Sequence, residues 1–460
     1  MARIRSQLTL AFLVAFCVSS FGQAKPRTRF ISLNSAREIL NAMSNSLPRD
    51  LGSVEALDGA KWSAWVERQD REIRNRLDRG TEDTLTNLLR FGVTFTKEYR
   101  IDDEYLVHYG NSSLVNSFAE NRANDLIRAL TLPDPPEGLA DMRAFLEKEG
   151  FSLETPRARA KVKTYLLTNL ARIRDDFLRY RAQTKDERRF QLFQDRGISL
   201  DTNLWPDYLI DRTMRGMMEK GLLKPGSVQR VAIIGPGLDF ANKEAGNDFY
   251  PPQTIQPFAV LDSLIKLGLA KSTMVEVYTL DISPEVNVHI ERWLDKAAHG
   301  NSYVVQLPWN SERPLSNEYR AKFISYWENL GSDIGQSVTP IPVPPLASAT
   351  QTRAVKIRPE IVQKITPLDL NVVYQQLDLE PNSDFDIVVG TNIFLYYGPF
   401  EQSLARRNIA AMLKPGGYLL SNDKLPDTVP SGLSNVQETT ITMSADPLVT
   451  DLMICYRRLN

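Results

Sequence analysis

The alternation of apolar and polar positions changes character near residue 205. Before it, the apolar residues recur at helical spacing. In "TEDTLTNLLRFG", Leu85, Leu88 and Leu89 share one face, Thr81 stands where an N-cap belongs, and Gly92 is a natural stop. In "KVKTYLLTNLARIRDDFLRYR", Leu166, Leu170, Ile173 and Phe177 form an amphipathic stripe. "TKDE" at 184–187 has the form of a capping box. "LWPDYLIDRTMRGMMEKGLLKPGS" then predicts a helix with Pro206 at its first position, ended by Gly221 and Pro225-Gly226.

Beyond that point short apolar runs alternate with helical patterns, the mark of a parallel sheet. "VAIIGPGLDF" (231–240) is a buried strand running into a glycine turn. "MVEVYTLDIS" (274–283) is a strand ending at Asp281, followed by a helix opened by Pro284. "YVVQL" (303–307), "LNVVYQQLDL" (370–379) and "FDIVVGTNIFLYY" (385–397) read as further strands. A helix, an "LKPGG" turn and another strand follow, and "VQETTITMS" with "DLMICYRR" close the chain as an antiparallel pair. The expected fold is α/β: a Rossmann-like doubly wound sheet, mostly parallel with an antiparallel C-terminal strand, preceded by an all-helical domain. The expected division is a leader at 1–24, a helical domain at 25–204 and a sheet domain at 205–460. A Pro-rich insertion falls near 310–355, and "NKEAGNDFYPPQTIQP" forms a second insertion after the glycine turn.

Composition adds three constraints. A 460-residue chain exceeds the ~250–300 residues at which single cores stop growing, so two domains are expected. The net charge of −1 offers nothing to nucleic acid. Residues 157–196 are locally basic, which a solvated helix face explains more simply than an anionic partner. The N-terminus carries Arg3 and Arg5, an apolar stretch from Leu8 to Phe21, and Gly22-Gln23-Ala24. That is the form of a secretory signal, implying export, with membrane contact only through this segment. The alternative is an uncleaved anchor that leaves the body in the cytoplasm. Cys17 lies inside this leader, so Cys455 alone remains and no intramolecular disulfide forms in a processed chain. Neither a cysteine metal site nor a cysteine nucleophile is expected, and His289 reads as a partly exposed helix residue.

The order of the pieces carries the chemistry. A glycine turn follows strand 1, an acid ends strand 2, an acid lies near the end of a later strand, and "LKPGG" precedes strand 5. Over about residues 205–460 this set resembles the class I S-adenosylmethionine-dependent methyltransferases. The resemblance implies S-adenosyl-L-methionine as cofactor and a small-molecule or peptide-borne acceptor. It places Gly235, Pro236 and Gly237 around the amino-acid end of the cofactor and Asp281 on the ribose hydroxyls. By the same analogy Asp378 takes the adenine amino group, and Thr391 and Asn392 stand beside the glycine turn. Tyr396 and Tyr397 are candidates for the acceptor wall, or for packing at the sheet edge. Asp281 has a simpler role open to it, as a cap for the next helix, and Asp378 has one as an ordinary loop acid. Two departures matter. Ile233 stands where the family carries an acid, and Asp239 stands where a third glycine is common. Asp239 is therefore a candidate for the cofactor's ammonium. No catalytic base is identified. The other classes open to the chain are an exported, non-catalytic binding protein on the same fold and a nicotinamide-dependent oxidoreductase. The latter lacks the third glycine of G-x-G-x-x-G.

Overall fold

The computed structural model describes residues 25–183, 196–239, 248–426, 431–442 and 450–459. The leader and the capping box at 184–187 lie outside them. Seven strands form the central sheet: β1 (Arg230–Ile234), β2 (Glu276–Asp281), β3 (Ile365–Asp369), β4 (Phe385–Gly390), β5 (Leu413–Ser421), β6 (Leu433–Thr442) and β7 (Thr450–Arg458). Their order is β6-β7-β5-β4-β1-β2-β3. The five strands from β3 to β5 are mutually parallel, whereas β7 is antiparallel to both β5 and β6. The closing hairpin read from the sequence thus inserts its second strand next to β5. The strand order reverses between β1 and β4, which opens a crevice at their carboxyl ends.

The central strands are mostly apolar, as burial on both faces requires; β4 is entirely buried. Asp386 within it accepts hydrogen bonds from the Gln229 and Arg230 amides at 2.6 and 2.8 Å and pairs with Lys414. That carboxylate pins the starts of β1, β4 and β5 together.

Eight of the helices, most of them opened by a side-chain N-cap, build the layers around the site. They are α1 (Gly59–Phe91), α2 (Ser113–Leu130), α3 (Glu137–Lys148), α4 (Pro156–Ala182), α5 (Leu204–Glu219), α6 (Gln256–Lys266), α7 (Pro284–Ala298) and α8 (Pro399–Met412). Thr81 is not an N-cap. It lies inside α1, whose N-cap is Asp58, because the period continues unbroken from Trp62. Gly92 does end that helix. Asn203 caps α5, so the helix starts at Leu204, two residues before the expected proline start.

Residues 25–204 are not wholly helical. Arg27–Phe30 is a strand, paired antiparallel with Gln375–Asp378 as a separate ribbon. Trp62, Trp65, Val66 and Ile73 of α1 pack with Leu377, Phe400 and Leu404 on one face of the sheet. The other end of α1 contributes Leu85, Leu88 and Leu89 to a second core with α2, α3 and α4. The reason is visible in the crossover from β3 to β4, residues 370–384, which contains no α-helix. The first half of α1 supplies the missing layer. The Pro-rich insertion belongs to a small three-stranded sheet of Tyr303–Gln306, Ala354–Ile357 and Gly335–Val338. "YVVQL" is therefore a strand, but outside the central sheet.

Candidate functional site

Three strand ends meet at the crevice. Ile234 of β1 is in register with Leu280 of β2 and Gly390 of β4. The residues that follow, Gly235, Asp281 and Thr391, therefore stand side by side. They open onto a cavity of about 260 Å³. Gly235 and Gly237 both adopt left-handed backbone, at φ 60° and 75°. A Cβ at Gly235 would lie 2.2 Å from Ile393 Cδ1, and one at Gly237 would lie 2.8 Å from the Leu200 carbonyl oxygen. The glycines are thus required by the turn and by the protein's own close packing, and the ligand-facing surface they leave is main chain.

Asp281 is almost fully buried on the cavity wall. Its Oδ1 accepts from the Ser283 amide at 2.7 Å, and Ser283 in turn caps α7. Capping support and a place on the cavity wall coexist in this side chain. Burial pushes its carboxyl up to about 7. The Ser283 amide opposes that rise, nearby Asp369 adds to it, and Arg74 opposes it.

Thr391 accepts from Gln256 Nε2 at 3.0 Å. Asn392 is a non-glycine residue at φ 58°, held by a reciprocal pair with Asn422 at 2.8 and 2.7 Å. Such a backbone persists where its surroundings fix it, and here it lies at the crevice mouth. Tyr396 and Tyr397 both face the cavity.

Three expected site residues are placed elsewhere. Pro236 belongs to the turn but not to the cavity wall. Asp239 turns away. It bridges Gln253 through main chain, and its Oδ2 accepts from Tyr250 Oη at 2.8 Å and Gln253 Nε2 at 3.1 Å. It folds the insertion back over the turn and is not positioned to meet a ligand's ammonium. Asp378 sits on the separate ribbon opposite Arg27, 63% exposed, with Arg29 at 3.9 Å. The third strand of the sheet is "ITPLD", whose end leads into Leu370, Asn371 and Val372, and these line the cavity instead. His289 is buried rather than partly exposed. It bonds Tyr303 Oη at 3.0 Å, and burial lowers its pKa to about 4, with Arg292 and Lys296 adding to the fall.

The roof of the cavity is a strap, residues 196–203, for which the sequence gives no periodic signal. It is fastened on three sides. The Ile198 amide donates to Arg76 O at 3.2 Å, the Ser199 amide to Tyr396 Oη at 3.2 Å, and the Leu238 amide to Leu200 O at 2.8 Å. Arg76 also donates to the Arg196 and Tyr396 carbonyls at 2.8 and 3.2 Å. Gly80 of α1 and Gly197 of the strap meet with almost no clearance. No cluster of three or more metal-ligating side chains occurs among the described residues.

No family model matches the chain, and no curated protein matches it. Among solved structures it is similar to the N-methyltransferase NodS from Bradyrhizobium japonicum WM9, at 11% identity and a TM-score of 0.27. That match covers 55% of this chain and 97% of that one. It is also similar to the magnesium protoporphyrin IX methyltransferase ChlM from Synechocystis PCC 6803 with bound SAM, at 11% identity and a TM-score of 0.24. Here 62% of this chain and 90% of that one are covered. The glycopeptide N-methyltransferase MtfA matches at 13% identity and a TM-score of 0.22, over 54% of this chain and 73% of that one. Identities and TM-scores this low do not identify the chain with any of them.

Proposed function

We propose that this chain transfers a methyl group from S-adenosyl-L-methionine to a small-molecule or peptide-borne acceptor. One observation carries the reading. The glycine turn after β1, the Asp281 carboxyl after β2 and the Thr391-Asn392 segment after β4 share one cavity where the strand order reverses. Asp281 is an acceptor suited to a pair of ribose hydroxyls. Ile282, Leu370 and Val372 offer apolar cover next to it, suited to the faces of a purine. The cofactor supplies a sulfonium-bound methyl, an already activated donor. The chain's part is to align the acceptor and exclude water, and the strap over the crevice suits the second task.

The test is calorimetric titration with S-adenosylhomocysteine, together with a thermal shift. Saturable binding in the micromolar range and a raised melting temperature are expected. No heat and no shift at millimolar ligand would overturn the reading. A second reading, a binding protein without catalysis, draws on Ile233, which is fully buried and apolar where the related enzymes carry an acid. It predicts a processed, exported chain with no saturable cofactor binding and no methyl transfer. We further propose export directed by residues 1–24. N-terminal sequencing of the mature protein should begin at Lys25, and an intact Met1 would refute processing.

A further inference from the structure

We propose that Arg74, carried by the long helix α1, is a positioning residue for the ligand site: its guanidinium clamps together the two strand-end segments that form one wall of the cavity. The proposal rests on that wall being a ligand site and adds a residue that acts on it from the N-terminal part of the chain.

Asp70, Arg74 and Leu77 lie at i, i+4 and i+7 and so share one stripe of α1. Leu77 reaches the cavity itself. Arg74 spreads its three nitrogens over three segments of chain. Nε donates to Asp70 Oδ2 at 3.0 Å, Nη1 donates to the Ile282 carbonyl at 3.1 Å, and Nη2 pairs with Asp369 Oδ1 at 2.7 Å. Ile282 directly follows Asp281, and Asp369 ends β3. The other oxygen of Asp70 accepts from Asn371 Nδ2 at 2.8 Å. The Leu370 amide donates to the Asp281 carbonyl at 3.2 Å and joins the two segments directly. Asp281, Ile282, Leu370 and Asn371 all line the cavity, so every tie ends on its wall or one residue from it.

An exposed ion pair would do little here, but Asp70 is only 7% exposed and the Arg74 side chain 24%. Three acceptors in three directions suit the planar fork of a guanidinium, whereas an ammonium is a single point of charge. The wall also needs this support. The crossover after β3 contains no α-helix, and the bond from Asn371 to Asp70 rests its first residues on α1.

Arg74 sets charge as well as position. It favours the ionised form of the Asp281 carboxyl, while Asp369 of β3 opposes ionisation. Tyr397, beyond β4, stands within electrostatic range as a phenol that burial keeps neutral. From α7 the uncharged Asn287 donates to the Asp281 carbonyl at 3.0 Å, and Asp201 of the strap shares the cavity. Removing Arg74 therefore raises the pH at which Asp281 ionises, and removing Asp369 lowers it.

The experiment titrates S-adenosylhomocysteine into wild type, Arg74→Gln, Arg74→Lys and Asp369→Asn between pH 6 and 9 by calorimetry. It also follows amide hydrogen exchange of the ligand-free proteins by mass spectrometry. Arg74→Gln should bind about tenfold more weakly at pH 9, and its further loss on acidification should begin at higher pH than in wild type. Arg74→Lys keeps the charge without the fork, so affinity should fall at pH 9 while the onset of the acid loss stays at the wild-type pH. Asp369→Asn should move that onset to lower pH. Both Arg74 variants should exchange faster in peptides covering 281–284 and 369–372 and unchanged in β6 and β7. pH profiles that match wild type in all three variants overturn the proposal, and so does unaltered exchange at both segments. Exchange raised throughout the chain marks a loss of fold stability alone and overturns it too. Should Arg74→Gln fail to fold, Arg74→Lys and Asp369→Asn carry the test, since the Asp369 side chain is 61% exposed. Wild type that binds no S-adenosylhomocysteine, with faster exchange confined to the two segments in the variants, refutes methyl transfer and keeps the clamp. Wild type that binds, with variants that match it, keeps methyl transfer and refutes the clamp.

Discussion

Gly80→Ala separates the packing account of the strap from simple helix propensity, because the two give opposite signs. Gly80 lies inside α1 with helical backbone, and glycine there costs about 1 kcal/mol relative to alanine. On propensity alone the substitution stabilises. The structure says otherwise. A Cβ at this position would sit 1.8 Å from the Ile198 carbonyl oxygen and 2.7 Å from its carbon, both main chain of the strap. Ordinary contact begins near 3.4 Å, so helix and strap must part by roughly 1.6 Å. The backbone on the strap side cannot rotate out of the way, and overpacking of this kind costs about 1–3 kcal/mol. The displaced strap also carries Leu200 and Thr202, which pack on Gly237, so the disturbance reaches the glycine turn. The expected result is a lower urea midpoint at unchanged m-value, and S-adenosylhomocysteine affinity weakened at least tenfold, about 1.4 kcal/mol. A variant more stable by about 1 kcal/mol with unaltered affinity would refute the account of the strap as a tightly seated roof.

Three further outcomes are expected. Asp281→Asn should weaken S-adenosylhomocysteine by about 1.5–3 kcal/mol, the range for hydrogen bonds to a charged group. Wild-type affinity, but not that of the variant, should also fall as the solution is acidified below pH 7, measured by calorimetry. Asp378→Ala should leave affinity unchanged and move stability by less than about 1 kcal/mol, since its ion pair with Arg29 is exposed; a large loss of binding would return it to the site. Stability should fall between pH 6.5 and 8. Asp207, Asp239 and Asp281 are raised from 3.8 to about 7 and Asp423 to about 6, chiefly by burial. The folded state therefore holds protons that the unfolded chain has already released, and their loss on raising the pH favours unfolding. His289, lowered to about 4, opposes this only below 6.5. Urea midpoints that rise from pH 6.5 to 8 would contradict the burial of these acids.

Much of the sheet was legible because its signals are local. The run from Val231 to Gly237 carries its own strand and turn, Asp281 ends a β-branched segment, and the last two strands alternate plainly. Asp378 was misplaced because "LNVVYQQLDL" looks more strand-like than "ITPLD", which holds a proline at 367. Proline is tolerated there because β3 is the edge strand. Asp239 looked like a site residue by its nearness to the glycines, but direction is decided by Tyr250 and Gln253, which sequence does not place. The strap and Gln256 have no period or motif. Their importance comes from contacts across more than a hundred residues, such as Gln256 with Thr391.

The 33 residues of α1 form one uninterrupted rod about 50 Å long. Its two ends are planted in different hydrophobic interiors, so neither interior can melt without fraying the beam that completes the other. Calorimetric unfolding should accordingly show a single peak for both, and a flexing joint between the two bodies has no place to form along that beam.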